Sequence, residues 1–308
     1  MSDEGEGVPL EGGVASDVRV VETPEGPLVI KRALSKLKVA AEWFSDPARS
    51  MVEVAAIDAF GGIAGKDTVP EIVWVRPADN CFAMRLVDAR LRNWKADLMD
   101  GRVDPATAHR VGEILGLFHA GSAGSPDLAR KFGDLRFFRE LRVEPFFDHV
   151  TARKPELATR IREIAQAMLA RRQALVHGDY SPKNILADGR DVVILDFEVT
   201  HWGDPRFDVG FCLAHLMLKS TLAEGHPARM RDAIDRFLEA YRCHGLPILD
   251  AGLAHVTGCL LLARLFGKSP ADYLPRIDRA RVEARAIRLM TIAAAPQISD
   301  FTFPELTA

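Results

Sequence analysis

The sequence predicts an α+β fold in two lobes, a small β-rich lobe followed by a larger helical one. Strand-prone runs crowd the first ninety residues, and helical stripes fill most of the remainder. Near residue 180 an apolar hairpin carrying several carboxylates interrupts the helices. A chain of 308 residues is long enough for two lobes with a cleft between them.

The elements follow in order. Residues 14–21 and 27–32 are β-prone, joined by the turn-rich Glu22-Thr23-Pro24-Glu25-Gly26. A helix is expected over about 46–60, with Met51, Val54, Ala55 and Ala59 on one face. Strands resume over 71–76 and 81–87, separated by Pro77-Ala78-Asp79-Asn80. The strands then stop, which places the lobe boundary between an N-lobe of residues 1–87 and a C-lobe of 88–308. Asp104 and Pro105 open the next helix as N-cap and first residue. Val111, Ile114, Leu115 and Phe118 give it an i, i+3, i+4, i+7 stripe, and residues 155–173 repeat the pattern with Leu157, Ile161, Ile164 and Met168. Further helices are expected over about 206–222, 227–244, 250–266 and 277–294. Asp188-Gly189 turns 184–187 back on 191–196 as a hairpin. The layout is protein-kinase-like.

Composition excludes several functions. A net charge of −3 gives no general attraction to nucleic acid or anionic membrane. Cys81, Cys212, Cys243 and Cys259 are far apart and form no C-x-x-C pair, so reduced thiols are expected rather than zinc or disulfides. The leading MSDEGEG is no signal peptide, and no apolar run approaches the ~18 residues of a membrane span. A cytoplasmic protein without nucleic-acid or membrane partners is expected.

The segment LVHGDYSPKNILADGRDVVILDFE, residues 175–198, carries the chemistry. Moving a phosphoryl group from ATP to a hydroxyl needs a carboxylate at the acceptor and Mg²⁺ on the phosphates. Asp179 supplies the base, while Asn184 and Asp196 supply oxygen ligands of the kind Mg²⁺ prefers. Singly, each is an ordinary turn or strand-end residue; their joint spacing is what points to catalysis. Lys31, in an apolar strand and on the face of Val29, suits a phosphate-binding lysine, with Arg32 as competitor. Glu53 on the next helix would orient it, although an i,i+4 pair with Arg49 is the plainer reading and Glu42 is the second candidate. Gly12, Gly13 and Ser16 could form a loop over the phosphates, and Met84 to Val87 the hinge that meets adenine. His177 reads as support for the loop backbone. Trp94 and Trp202 are either packing residues or part of the acceptor pocket.

HGDYSPKN, ILDFE and GDPRFD together resemble the aminoglycoside phosphotransferase and choline kinase superfamily. HGD stands where protein kinases have HRD, and no APE-type motif follows. DFE in place of DFG is similar to methylthioribose kinase, as is the spacing of LVIKRALSKLKVAAEWFSDPARSMVEVAAIDAF; Asn184 departs from that subgroup. The resemblance implies Glu198 as a further Mg²⁺ ligand and Asp208 as an anchor for the catalytic-loop backbone. It implies ATP- and Mg²⁺-dependent transfer to an alcohol hydroxyl of a sugar, amino sugar or amino alcohol. A cationic acceptor would need acids, for which Glu144, Asp148 and Asp204 are candidates. The alternative is a nucleotide-binding pseudokinase, which should lack a base, a metal ligand or the lysine; each has a candidate here.

Overall fold

In the computed structural model, residues 7–10, 15–38, 42–222 and 226–303 are described. The early alternation forms β1 (Val8–Pro9), β2 (Ser16–Val21) and β3 (Leu28–Ala33), followed by α1 (Arg49–Ala64), β4 (Ile72–Arg76) and β5 (Cys81–Arg85). These strands make one antiparallel sheet in the order β1-β2-β3-β5-β4. Lys31 faces Val18 across one edge of β3 and Phe82 across the other, so it sits in the middle of the sheet.

Helix α1 differs from expectation at both ends and in its buried face. Asp46 and Pro47 form a turn, with the Asp46 carboxylate accepting from the Ala48 N–H at 2.9 Å, and the helix starts only at Arg49. It runs to Ala64, ended by Gly65 at φ 111°. The buried stripe is Arg49, Ser50, Glu53, Ala56, Ile57 and Phe60, whereas Met51, Val54, Ala55 and Ala59 are half-buried. Apolar periodicity misses this stripe because two of its members are charged.

The remainder is mostly helical. It comprises β6 (Arg92–Asn93), α2 (Trp94–Met99), α3 (Pro105–Ser122), α4 (Pro126–Lys131), α5 (Arg136–Phe138), α6 (His149–Arg153) and α7 (Ala158–Ala170). The hairpin region follows as β7 (Ala174–Val176), β8 (Ile185–Ala187), β9 (Val192–Ile194) and β10 (His201–Gly203). Helices α8 (Arg206–Ser220), α9 (Pro227–His244), α10 (Ala251–Phe266) and α11 (Arg279–Thr291) complete it. Asp104 caps α3 by accepting from the Ala106 and Thr107 N–H groups at 3.0 and 3.3 Å. Strands β8 and β9 pair through the Asp188-Gly189 turn, and β6 adds to the outer edge of β8.

Residues 126–153, to which no helix was assigned from sequence, are largely helical. Between α5 and α6 the segment Arg139–Asp148 winds as a π-helix around Pro145. The wider winding breaks the 3.6-residue period, which hides the element from a periodicity reading. Among the described residues no helix is long and apolar enough to cross a membrane.

The core joins the two lobes through aromatic contacts. Phe60 of α1 lies 4.0 Å from Phe118 of α3 and 5.1 Å from Phe197, whose ring lies 4.5 Å from His177. Within the helical lobe α3 and α9 pack closely at Gly112, where a Cβ would sit 2.2 Å from the Phe237 carbonyl oxygen. On helix propensity alone Gly112→Ala should stabilise by about 1 kcal/mol. The backbone contact reverses the sign, and the expected outcome is a destabilisation of about 1–3 kcal/mol, read as a lower thermal midpoint.

Candidate active site

The site begins with a buried lysine. The Lys31 ammonium, 7% exposed, meets the Glu53 carboxylate at 2.8 Å and the Asp196 carboxylate at 2.5 Å. Burial alone would lower the Lys31 pKa, but Asp196, Glu53 and Glu198 outweigh it and hold the ammonium above its ordinary value. Burial pushes the Glu53 carboxyl up against the pull of Lys31. For Asp196 burial also acts upward, yet Lys31 and Lys183 prevail and keep the carboxyl below its usual range. Arg32 points away and is exposed, and Glu42 is exposed as well.

Arg49 makes no i,i+4 pair with Glu53. Its side chain is fully buried and its Nε donates to Glu198 at 2.9 Å. The other guanidinium nitrogens donate to the carbonyls of Ser45 and Asp46 at 3.1 Å, of Leu34 at 2.8 Å, and of Ala15. One arginine thus ties the start of β2, the end of β3 and α1 to the DFE segment. Sequence reading weighed Arg49 only as a surface partner, because a lone arginine in a helix gives no sign of burial.

Oxygens of Glu53, Asp196 and Glu198 lie within 4.8 Å of one another. Were the strand to continue, alternation would put residues 196 and 198 on one side of it. Instead β9 ends at Ile194, and Asp196 adopts a left-handed backbone at φ 68°. The turn, not the pleat, brings the two acids together. Asp is among the residues that tolerate this conformation. Set against Lys31 and Arg49, three carboxylates and two cations leave an excess of one negative charge. Hard oxygen donors with surplus negative charge fit a divalent cation such as Mg²⁺. The second Glu53 oxygen is buried with no hydrogen-bond partner, which also suits a ligand.

Asp179 is 2% exposed and stands at the next corner. Arg142 reaches its carboxylate at 3.0 Å, Lys183 at 2.8 Å, and the Asn184 amide donates to it at 2.9 Å. The same amide donates to the Asp179 carbonyl at 3.0 Å, leaving the Asn184 side-chain oxygen as the acceptor. Arg142 comes from the π-helical segment and also donates to the Gly178 carbonyl at 2.7 Å. Sequence gave no signal for it.

The loop bearing Asp179 is fixed from beneath. Asp208, wholly buried on α8, accepts from the N–H groups of His177 at 2.6 Å and Gly178 at 2.8 Å, and pairs with His119 at 3.1 Å. His177 accepts the Asp179 N–H at Nδ1, 3.1 Å, and its Nε2 faces the Leu195 carbonyl at 3.1 Å. Burial holds this imidazole below its usual pKa, and an Nδ1 that accepts an N–H leaves the ring proton on Nε2, toward the Leu195 carbonyl. Gly178 lies at φ 79°, and a Cβ there would sit 2.8 Å from the Val199 carbonyl oxygen.

The remaining sequence candidates fall in different places. Gly12 and Gly13 lie outside the described residues. Ser16 is the first residue of β2 rather than part of a loop, and its hydroxyl is buried without a partner. Met84 lies on β5 beside Val29 and Ile72. Val87 falls beyond that strand, which ends at Arg85. Trp94 and Trp202 are both buried in the main core.

A small antiparallel sheet carrying a buried lysine, set on a helical lobe that carries the carboxylate loop, defines a protein-kinase-like fold. The profile of the phosphotransferase enzyme family matches residues 6–247, and the chain belongs to that family. Methylthioribose kinase of Bacillus velezensis is 27% identical over 314 residues, covering 85% of this chain and 78% of that protein. Methylthioribose kinase of Bacillus cereus is 28% identical over 234 residues, covering 65% of this chain and 57% of that protein. The chain therefore spans little more than half the length of the second relative. Two solved structures share the fold. An amicoumacin kinase bound to AMP-PNP, Ca²⁺ and its ligand superposes with a TM-score of 0.55 at 14% identity, covering 97% of this chain and 93% of that one. A Plasmodium vivax ethanolamine kinase gives 0.53 at 13% identity, covering 92% and 81%.

Removing the buried guanidinium would leave Glu198 charged and unpaired and four carbonyl groups without their donor. Arg49→Met is expected to cost about 3–5 kcal/mol of stability in chemical denaturation. A loss below about 1 kcal/mol would mean that Glu198 does not depend on Arg49.

Proposed function

We propose that this protein is an ATP- and Mg²⁺-dependent phosphotransferase that acts on an alcohol hydroxyl of a small molecule. The observation that carries the reading is the convergence of Lys31, Glu53, Asp196 and Glu198 beside the loop that presents Asp179. Lys183 and Arg142, both paired to Asp179, also act on Asp196, so the two acids share one cleft. In this reading residues 1–87 form the nucleotide lobe and 88–308 the catalytic lobe. Ser16 would stand toward the phosphates and Met84 to Val87 would border adenine, while the Gly13 assignment falls outside the described residues. The methylthioribose kinase relatives favour a sugar-like acceptor.

Lys31, oriented by Glu53, would hold the α- and β-phosphates. Asp196, Glu198 and the Asn184 oxygen would hold Mg²⁺, which when bound neutralises charge on the phosphates. Asp179 orients the acceptor hydroxyl and takes its proton as the oxygen bonds to the γ-phosphorus. The bond from that phosphorus to the β–γ bridging oxygen breaks, and ADP leaves with the electron pair. Arg142 and Lys183 hold the Asp179 carboxylate in place.

Two outcomes are expected. Asp179→Asn should lower kcat by about 10²- to 10⁴-fold while an ADP-induced thermal shift persists; undiminished turnover would remove Asp179 from the chemistry. Glu198→Gln should raise the Mg²⁺ concentration needed for half-maximal rate. If the Mg²⁺ dependence does not move, Glu198 serves only as the buried partner of Arg49.

A further inference from the structure

On the side of Asp179 formed by α8 and α10, the protein has assembled cations without carboxylates to match them. His215 and Lys219 stand four residues apart on one face of α8. The Lys219 ammonium is wholly buried, 3.3 Å from the Tyr273 hydroxyl and 5.2 Å from its ring centre. No carboxylate among the described residues forms an ion pair with it. Burial, with Lys95 and Arg264 nearby, pushes its pKa down to about 7.

His215 is 7% exposed, and its Nδ1 is buried without a hydrogen-bond partner. Burial, and after it the cations Lys219, Arg264, Lys183 and Lys95, hold its imidazole well below the ordinary histidine pKa. Its ring lies 4.9 Å from Phe211, which stacks on Phe146 at 5.8 Å; Arg142 covers Phe146 at 5.5 Å and pairs with Asp179 at 3.0 Å. A run of side-chain contacts thus links His215 to Arg142, the partner of Asp179. Arg264 on α10 donates to the carbonyls of Ser269 and Pro270, while its Nε is buried and unpartnered. Asp179 and Arg142 are among the charged groups that act on Arg264.

The acids that could have received a cationic acceptor lie elsewhere. Glu144 and Asp148 are exposed, and Asp204 is held by Arg206 at 3.2 Å. Asp272, the carboxylate that acts on Lys219, is paired to Lys95 at 2.8 Å. A buried imidazole nitrogen and a buried guanidinium N–H without partners, beside a lysine that no carboxylate pairs with among the described residues, fit an anion that brings its own acceptors.

We propose that the acceptor is an anionic hydroxy compound, bearing a carboxylate or a phosphate ester, whose negative group is received by His215 and Arg264 with the charge of Lys219 behind them. This rests on the phosphotransferase reading above, and it sets the acceptor apart from aminoglycosides and amino alcohols. The choice between carboxylate and phosphate is left to the two arms of the test.

The test is ADP release from the full chain with ATP and Mg²⁺, over acceptors matched in shape and differing in charge. One arm compares gluconate and glycerate with gluconamide and glycerol. The other compares sugar phosphates with their free sugars, and amino sugars and choline are included in both. The expected result is a kcat/KM for one anionic class higher by about 10- to 100-fold than for its neutral partner, the range of a charge-assisted hydrogen bond. Arg264→Gln and Lys219→Met should erase that preference by raising KM for the anion, with folding checked by an ADP-induced thermal shift. Arg264→Gln alone decides if Lys219→Met does not fold. Neutral or cationic acceptors turned over as well as anionic ones would overturn this inference and leave the phosphotransferase reading standing. Nucleotide binding with no transfer to any acceptor would overturn both.

Discussion

The buried Lys31 ammonium is the constraint on which the rest of the structure turns. A cation held at the centre of a sheet is tolerable only if carboxylates come to it, and they come from two distant parts of the chain. Glu53 arrives on α1 and Asp196 on the turn after β9, so one charge fixes the sheet, the helix and the catalytic segment together. Arg49, one turn before Glu53, does the same for Glu198 and the end of β3. Each pair alone is expensive to bury. Combined, they leave a surplus of negative charge where a divalent ion and a triphosphate would meet.

A second buried carboxylate sets the loop that carries Asp179. Asp208 takes two backbone N–H groups of the catalytic loop and is itself held by His119, whose other nitrogen meets the Tyr241 hydroxyl at 2.9 Å. The anchor thus reaches α3, α8 and α9, three of the long helices of the large lobe. Loop geometry is inherited from the helical core, not from the loop's own sequence. The left-handed backbone at Gly178 and the neutral His177 beneath it are local consequences of that hold.

Much of this was legible before any coordinates. The α+β fold, the hairpin turned by Asp188-Gly189, the Asp104 cap of α3 and the helices after residue 206 all follow from short-range rules of period, cap and turn. The charged face of α1 did not follow, because a helix that buries arginine and glutamate looks amphipathic in the wrong direction. The π-helical stretch was hidden for a related reason: its winding departs from the period by which helices are recognised. Arg142, Arg49, His215 and Lys219 were missed because a lone charged residue in a helix carries no mark of the partner it meets. The two acids of the DFE segment meet through a left-handed turn at Asp196, a backbone conformation the residue type permits but does not announce.

That division between legible and hidden residues follows the division of labour in the cleft. Residues that bind what every ATP-using relative must bind are set by spacing within one short segment, so a single sequence displays them. The residues proposed to face the acceptor come from α8, α10 and the π-helix, and only the packing of those helices brings them together. Their chemistry is therefore read from charge balance in three dimensions. On the nucleotide side, carboxylates outnumber the cations they meet and invite a metal ion. Beyond Asp179 the balance reverses, with cations and unmet donors left over. In the proposed reading, an acceptor that gains a phosphoryl group also gains negative charge beside these groups. The same cationic wall that selects an acceptor would then stabilise the product it becomes.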